Sequence, residues 1–343
     1  MFQTEPILYL QSQGSDWLTA PMALITSMGT AAFFAAVIIA VTFGIDFRKG
    51  FLLFQLLLWT GAATEILKVV FALPRPDFVD LRVLNLEKGL PNTSPFSGQG
   101  GEGFFALPEK EALEAFGAQV NSIASSSRHG LYGFPSGHVS TTTALWGGAA
   151  LIFGNRAIRG MAPAVVLLMA FSRMYLGRHF LGDVLGGFML GLIMLFAFSA
   201  FLGSRLNDDF FRKESFLPSA KFPNGLFYLF MFIVPLLLAA SSMIGHDVAG
   251  FLMGTNAAYI LVVRKGIPDD SGTAGQRTTR AMMALLTFAT AAAMLAAGIN
   301  AAGIENSLNP GVIEFAEAFI PATTVWVSVI ICSRLGLYGK ART

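Results

Sequence analysis

The strongest constraint on this chain is a series of apolar runs, each close to the length of a membrane-spanning helix. Crossing the hydrocarbon core of a bilayer takes about 20 consecutive apolar residues. Backbone groups at that depth must be hydrogen-bonded within the protein, so runs of this kind predict helices. The runs lie at roughly 20–43, 51–73, 137–154, 160–176, 180–203, 225–244, 247–263, 281–303 and 312–333. The predicted fold is therefore all-α, a polytopic transmembrane bundle of about nine spans.

Composition agrees with a membrane protein and argues against several other classes. Charged residues make up only 13% of the chain, against about 25% in a typical soluble domain. The net charge of +2 is too small to predict binding to nucleic acid. The single cysteine, Cys332, excludes an internal disulfide and a cysteine-based metal site. The partners expected from the sequence are membrane lipids, and no feature implies a protein partner.

The distribution of basic residues predicts the topology. Cytoplasmic loops of membrane proteins are enriched in Lys and Arg. With the N-terminus outside, nine spans place most of the 23 Lys and Arg in short inner segments. The remainder are spread over much longer outer loops. We therefore expect the N-terminus outside and the C-terminus in the cytoplasm, in a bacterial cytoplasmic (inner) membrane.

Two segments interrupt the series of spans. The outer loop 77–134 contains a predicted short helix at 108–125, whose apolar stripe packs on the bundle, lies on the membrane surface or covers a site. The inner segment 204–224 is rich in charge and contains proline, which makes it the best internal boundary. The predicted domains are a five-span core at 1–204 and an extension of about four spans at 205–343, one of which completes the core.

Ionisable residues within the spans gather at one end of the bundle. Lys68, Arg173 and Asp183 lie at the predicted outer ends of the second, fourth and fifth spans. Ionisable groups are costly in a bilayer, so they form a functional-site hypothesis by default.

The first block of candidate residues is Lys68 with Arg75 and Pro76. Seven residues make nearly two helical turns, so both cations are expected on one side of the second span. Pro74 and Pro76 would end the helix there. The alternative is a lysine that reaches the membrane surface beside a helix stop.

The second block is Pro135-Ser136-Gly137-His138, just before the third span. A proline at the first helical position predicts a helix start whose free N–H groups face outward. Such a start binds anions before any side chain is counted. The alternative is a capped helix with a histidine hydrogen-bonded within the core.

The third block contains Ser172, Arg173, His179 and Asp183. His179 and Asp183 are four residues apart, a spacing that places both on one helix face. The carboxylate can then accept from one ring nitrogen and leave the other as a nucleophile or base. The alternative is an ion pair at the membrane surface.

Together the three blocks supply the parts that phosphoryl transfer requires. They present two histidines, a carboxylate, three cations and a helix start. A metal site fits less well, because only His138, His179 and Asp183 could bind the ion and the cations would repel it. We expect neither a metal nor another cofactor.

The order of the blocks resembles the signature of the type 2 phosphatidic acid phosphatase superfamily, over roughly residues 50–200. The matching positions are Lys68, Arg75, Pro76, Pro135, Ser136, Gly137, His138, Ser172, Arg173, His179 and Asp183. The loop between the first two blocks is long for that family, and the C-terminal spans lie outside its six-helix core.

The resemblance implies a role for each position. His179 would be the nucleophile that becomes a phosphohistidine, Asp183 would orient it, and His138 would protonate the leaving group. The phosphate oxygens would be held by Lys68, Arg75, Ser136, the Gly137 N–H and Arg173. The resemblance also implies a metal-independent reaction at the extracytoplasmic face.

The sequence leaves the roles of several residues near the three blocks undecided. Arg178 could be an extra phosphate ligand or an anchor at the membrane surface. Arg128 and His129 could reach the site or lie in a solvated loop. Glu65 most simply partners Lys68 or Arg75.

The function predicted from these residues is hydrolysis of a lipid phosphomonoester or diphosphate. A phosphotransferase could use the same groups to pass the phosphoryl group to a lipid or sugar hydroxyl. A lipid-binding or transport protein could keep the pocket without the chemistry. A vanadate haloperoxidase is disfavoured by the many apolar spans. The sequence does not identify which lipid is the substrate.

Overall fold

The computed structural model describes residues 1–87, 100–122, 129–202, 223–303 and 307–339, and these are helical apart from turns and isolated β-bridges. The α-helices are α1 (Glu5–Ser12), α2 (Asp16–Ser27), α3 (Ala31–Gly44), α4 (Phe47–Phe71), α5 (Pro76–Val79), α6 (Lys110–Asn121), α7 (Gly137–Phe153), α8 (Arg156–Tyr175), α9 (Leu181–Ala197), α10 (Pro223–Tyr228), α11 (Val234–Ala240), α12 (His246–Lys265), α13 (Ala274–Ala302), α14 (Pro310–Thr324) and α15 (Trp326–Arg334). The all-α fold predicted from the sequence is confirmed.

Six helical segments in the described part of the chain are long and apolar enough to cross a membrane. They are Phe47–Val79, Arg156–Tyr175, Leu181–Ala200, His246–Lys265, Ala274–Ala302 and Pro310–Arg334. A bent pair, Trp17–Ser27 with Ala31–Gly44, gives a seventh if it is counted as one span. The protein is therefore an integral membrane protein by length and apolarity of its helices. The total of nine and the orientation stay predictions.

The two remaining apolar runs are also helical, in shorter pieces. The run at 137–154 forms α7, whose 17 residues rise about 25 Å at 1.5 Å per residue. The run at 225–244 forms α10 and α11, joined by the π-helical segment Leu229–Ile233.

The chain forms two compact units. The first contains Met1–Phe34 and Trp59–Phe196, and the second contains Ala35–Leu58 and Ala197–Thr343. All of the predicted site residues lie in the first unit. The boundary predicted between 204 and 205 falls outside the described residues, so the division into 1–204 and 205–343 stays a prediction.

Small residues let α7 and α9 approach closely in the first unit. A Cβ atom added to Gly191 would lie only 2.6 Å from the Cβ of Thr143. Beside this contact, α7, α8 and α9 share an apolar cluster, whose buried members are Val139, Val166, Met169 and Val184. This packing holds the start of α7 beside the start of α9.

The outer-loop helix α6 packs against the first unit. Phe116 and Val120 are buried on its inner face, and the ring of Phe116 lies 5.0 Å from that of Phe78. This agrees with the expectation of a helix packed on the bundle. The helix ends at Asn121, and the last residues of the predicted range, 123–125, lie outside the described part of the chain.

The second unit has its own apolar core. Gly250 and Gly254 of α12 face the backbone of α14, where an added Cβ on Gly254 would lie 2.5 Å from the Phe319 carbonyl oxygen. The ring of Tyr259 stacks on that of Phe51 with centroids 3.8 Å apart. An apolar cavity in this unit is lined largely by aromatic and aliphatic side chains and by none of the predicted site residues.

Candidate active site

His179 and Asp183 contact each other at the junction of α8 and α9. The Nδ1 atom of His179 lies 3.3 Å from Oδ2 of Asp183, and both side chains are almost fully buried. A carboxylate at Nδ1 favours the tautomer that carries its proton there. The lone pair of the neutral ring then lies on Nε2, which is free to act as a nucleophile or base, as the sequence predicts.

The spacing of the pair predicted that both side chains lie on one helix face. They do not, because α9 begins at Leu181 and His179 precedes it. The carboxylate of Asp183 accepts a hydrogen bond from the Phe180 N–H at 3.0 Å. Asp183 is the third residue of α9, and a side chain at this position can cap the helix start by accepting from the N–H of the residue just before the helix. Asp183 therefore fixes both the helix start and the imidazole.

Arg75 contacts the other side of the His179 ring. Its Nη1 atom lies 3.4 Å from Nε2 of His179 and donates to the Arg178 carbonyl at 3.1 Å. Burial lowers the pKa of His179 well below its usual value, and the charges of Arg75, Arg173 and Lys68 lower it further. The imidazole is therefore neutral at neutral pH, as a nucleophile requires.

Helical spacing does not place Arg75 on the same side as Lys68, because α4 ends between them. The helix ends at Phe71, and Arg75 has an extended backbone just before α5. Leu73 and Arg75 each precede a proline, which disfavours helical backbone at those residues. Both cations nevertheless reach one loop, since Lys68 donates to the His129 carbonyl at 3.2 Å and Arg75 to the Gly130 carbonyl at 3.0 Å.

The second block lies beside the start of α9. The Ser136 N–H donates to the Asp183 carbonyl at 2.9 Å, and Gly187 packs against the Ser136 carbonyl. Because Ser136 has an extended backbone, α7 begins at Gly137, two residues later than a start at Pro135 predicts. The first N–H groups of α7, including that of Gly137, have no partner within the helix.

Two buried polar atoms of this block have no hydrogen-bond partner among the described residues. They are Oγ of Ser136 and Nε2 of His138. The ring of His138 fits against Gly29, in the break between α2 and α3, where an added Cβ would lie 2.5 Å from its Cδ2 atom. Buried polar atoms are nearly always paired, so both atoms point to a polar ligand.

Arg173 is held by residues that the sequence did not single out. Its guanidinium donates to both carboxylate oxygens of Glu87, at 3.2 and 3.3 Å, and to the Thr26 hydroxyl at 2.5 Å. Its Nε atom is buried and has no partner among the described residues. Ser172 does not join the site, because its hydroxyl donates to the Met169 carbonyl at 2.8 Å.

Arg178 is not exposed, as an anchor at the membrane surface would be, and its role as an extra phosphate ligand stays a prediction. It is buried and forms ion pairs with Asp77, at 3.3 Å, and with Glu87, at 3.0 Å. No spacing pattern identifies these partners, because Glu87 lies in the long outer loop, 86 residues before Arg173.

The other open residues are only partly accounted for. His129 is buried rather than solvated, and its carbonyl accepts from Lys68. Arg128 lies outside the described residues, and Glu65 is one turn before Lys68 in α4. No cluster of three or more His, Cys, Asp or Glu that could hold a metal ion occurs in the described part of the chain.

The three blocks thus meet around His179, with cations on one side and a buried carboxylate on the other. A family model described as the PAP2 superfamily matches residues 49–207. This segment contains all the predicted site residues, and the family resemblance inferred from the sequence is confirmed.

Two characterised relatives are similar to parts of the chain. The lipid A 4'-phosphatase of Porphyromonas gingivalis is 37% identical over 79 residues, which are 23% of this chain and 34% of that protein. Phosphatidylglycerophosphatase B of Bacillus subtilis is 25% identical over 189 residues, which are 54% of this chain and 75% of that protein. The chain thus spans about a third of the first relative and three quarters of the second. No solved structure gives a significant match.

Proposed function

We propose that this protein is an integral membrane phosphatase that hydrolyses a phosphomonoester or diphosphate of a lipid. The observation that carries the proposal is the His179 ring, which lies between the Asp183 carboxylate at Nδ1 and Arg75 at Nε2. A neutral, oriented imidazole beside buried cations suits attack on a phosphorus atom whose oxygens carry negative charge. The names of both relatives, and the long apolar helices, support a lipid as the substrate.

The proposed reaction has two steps. Nε2 of His179 attacks phosphorus, the phosphorus–oxygen bond to the lipid breaks, and His138 gives a proton to the leaving oxygen. Water then attacks the phosphohistidine and passes a proton to His138, the phosphorus–nitrogen bond breaks, and inorganic phosphate leaves. General acid–base help of this kind contributes about 10²- to 10⁴-fold.

The remaining residues would hold the phosphate. Lys68, Arg75 and Arg173 would pair with its oxygens, together with the Ser136 hydroxyl and the Gly137 N–H at the start of α7. Preorganised donors of this kind act strongly because they lie in a site that excludes water. This chemistry needs no metal, and the positive-inside pattern supports an extracytoplasmic location for the site.

The decisive experiment measures phosphate release by the purified protein in EDTA. Removal of the attacking nitrogen in His179→Ala should lower kcat/KM at least about a thousandfold. His246→Ala is the matched control, because His246 starts α12 in the second unit and its loss should leave the rate near wild type. Full activity of His179→Ala would overturn the proposal.

A substrate panel and product analysis refine the assignment. The panel should include phosphatidylglycerophosphate, lipid A phosphates, phosphatidic acid, an isoprenyl diphosphate and a soluble sugar phosphate. A lipid phosphatase releases phosphate from one or more of the lipids in preference to the sugar phosphate. If a labelled donor yields little free phosphate without a hydroxyl acceptor, and the label appears on the acceptor when one is added, transfer rather than hydrolysis is the reaction.

A further inference from the structure

Glu87 makes the closest approach of any described carboxylate to the predicted phosphate ligand Arg173. We propose that Glu87 is a positioning residue, which holds one edge of the Arg173 guanidinium so that the other edge faces the phosphate. The role of Arg173 as a phosphate ligand belongs to the proposed function, and the inference rests on it. Glu87 itself lies in the long outer loop, outside the three blocks.

The hydrogen bonds of Arg173 divide its guanidinium into two edges. Nη1 and Nη2 donate to the two carboxylate oxygens of Glu87, and Nη1 also donates to the Thr26 hydroxyl. A guanidinium has five N–H donors in a rigid plane, and its side edge, made by Nε and Nη2, can bind a second anion. The buried Nε atom has no partner among the described residues. The side edge is therefore left for the phosphate.

The backbone next to Glu87 is fastened to the rest of the first unit. Leu84 exchanges two hydrogen bonds with the Gln11 amide, at 2.7 and 3.0 Å. The Leu86 N–H donates to the Leu176 carbonyl at 3.2 Å. Leu84 also packs against Gly177, whose φ of +73° and close contact leave no room for a side chain. These contacts hold Glu87 in place, as a positioning residue requires.

Arg178 balances the charge of the carboxylate. Its Nε atom lies 3.0 Å from Oε2 of Glu87, while its Nη1 atom pairs with Asp77 at 3.3 Å. Burial alone raises the pKa of Glu87, but the charges of Arg173, Arg178 and Arg75 hold it below its usual value. Glu87 is therefore ionised at neutral pH, and because two arginines share its charge, Arg173 keeps positive charge for a phosphate.

A competing role of Glu87 predicts the opposite change in anion affinity when its carboxylate is removed. If Glu87 occupied the place of the phosphate, substrate would have to displace it, and its removal would strengthen anion binding. If Glu87 positions Arg173, its removal frees the guanidinium to move and weakens anion binding. Binding of inorganic phosphate distinguishes the two roles without any turnover.

The test measures the dissociation constant of inorganic phosphate by calorimetry on the purified full-length protein. Glu87→Gln should weaken binding about tenfold, because a charge-assisted bidentate pair is lost. Glu87→Asp, which keeps the charge, should recover part of the affinity. Glu114→Gln is the matched control, since Glu114 is an exposed glutamate of α6 that forms an ion pair with Lys110, at 3.5 Å. Its affinity should equal that of the wild type.

A double-mutant cycle separates positioning from a general loss of stability. In an Arg173→Lys background the planar fork is absent, so Glu87→Gln should cause little further loss of phosphate affinity. Additive losses, unchanged affinity in Glu87→Gln, or tighter binding would each overturn the inference. If Glu87→Gln does not fold, Thr26→Val removes the other acceptor on Nη1 and should weaken phosphate binding in the same direction.

Phosphate binding and lipid hydrolysis together distinguish a failure of the positioning role from a failure of the proposed function. If the wild type binds inorganic phosphate in a Glu87-dependent way but hydrolyses no lipid phosphate, the positioning role stands and the phosphatase proposal fails. If lipid phosphate is hydrolysed and Glu87→Gln leaves both phosphate affinity and KM unchanged, the phosphatase proposal stands and the positioning role fails.

Discussion

His179 is surrounded by more positive than negative charge, and this governs its expected pH dependence. The cations that lower its pKa are Arg75, Arg173 and Lys68. As the pH falls through the pKa of a nucleophilic histidine, the ring takes up a proton and loses its lone pair. The acid limb of the kcat/KM profile should therefore lie below the usual pKa of histidine, about 6.5.

Arg75→Gln tests this electrostatic role. Removing the nearest cation favours the imidazolium, so the pKa of His179 rises and the acid limb of kcat/KM moves to higher pH. The plateau of kcat/KM should also fall about a hundredfold, since a donor to the charged phosphate is lost. The profile should be measured in detergent with the best lipid substrate from the panel.

Arg82→Gln is the control for a change of charge alone. Arg82 is largely exposed and pairs with Asp80 at 2.7 Å, and it is not among the groups that shift the pKa of His179. Its profile should keep the wild-type acid limb. An unchanged limb in Arg75→Gln would show that the charge of Arg75 does not contribute to the lowered pKa of His179.

At this scale, sequence reasoning predicted which candidate groups come together but not the residues that hold them. The pairing of His179 with Asp183 and the arrival of Arg75 at the ring follow from three short motifs. The contacts of Glu87 and Thr26 with Arg173 depend on how distant segments pack, which no local spacing encodes. Arg178 was ambiguous for the same reason, because both of its acidic partners lie in the outer loop.

At the scale of helices, the contact between α7 and α9 sets the register of the site. Gly187 lies against the Ser136 carbonyl, and the Ser136 N–H bonds to the Asp183 carbonyl. A methyl group at position 187 would clash with that carbonyl and push the two helix starts apart. Because an error of about 1 Å can cost 10²-fold in rate, the site is expected to be sensitive to this change.

Gly187→Ala should therefore lose both activity and stability. We expect kcat/KM to fall at least about tenfold, and the free energy of unfolding to fall by about 1–3 kcal/mol, as for other overpacked cores. Gly160→Ala in α8 is the control, since nothing lies within 4 Å of its Cβ position. Alanine should be neutral or slightly stabilising there. Wild-type kcat/KM in Gly187→Ala would contradict the proposed importance of this register.

The apolar runs predicted most helix bounds to within a few residues, but the backbone of the motif residues at the helix ends was predicted less well. The apolar runs located the helices, but α4 ends before Arg75, α7 begins after Pro135 and α9 begins after His179. In each case the backbone near the boundary is directed by prolines or by a hydrogen bond to another block. Arg75, Ser136 and His179 therefore lie on the short connections between helices, whose conformation depends on their partners.

On the scale of the whole molecule, the membrane fold follows from apolar length alone, whereas the sidedness depends on the charge pattern. Lys and Arg are concentrated in the segments predicted to face the cytoplasm. The candidate site lies wholly in the first unit, which also contains most of the long outer loop. The sequence thus predicted where in the chain the candidate site lies. The number of spans, and the side of the membrane on which the site lies, need a direct measurement.

Cysteine labelling provides that measurement, because Cys332 is the only cysteine in the chain. In a Cys332→Ala background, Glu114→Cys marks the outer loop and Arg159→Cys marks the first turn of α8, after the third apolar run. Both native side chains belong to exposed residues of the first unit. With the site outside the cytoplasm, a membrane-impermeant maleimide should label Glu114→Cys in intact cells. It should label Arg159→Cys only after the cells are permeabilised. The reverse pattern would place the site in the cytoplasm, and labelling of both in intact cells would contradict a span between them.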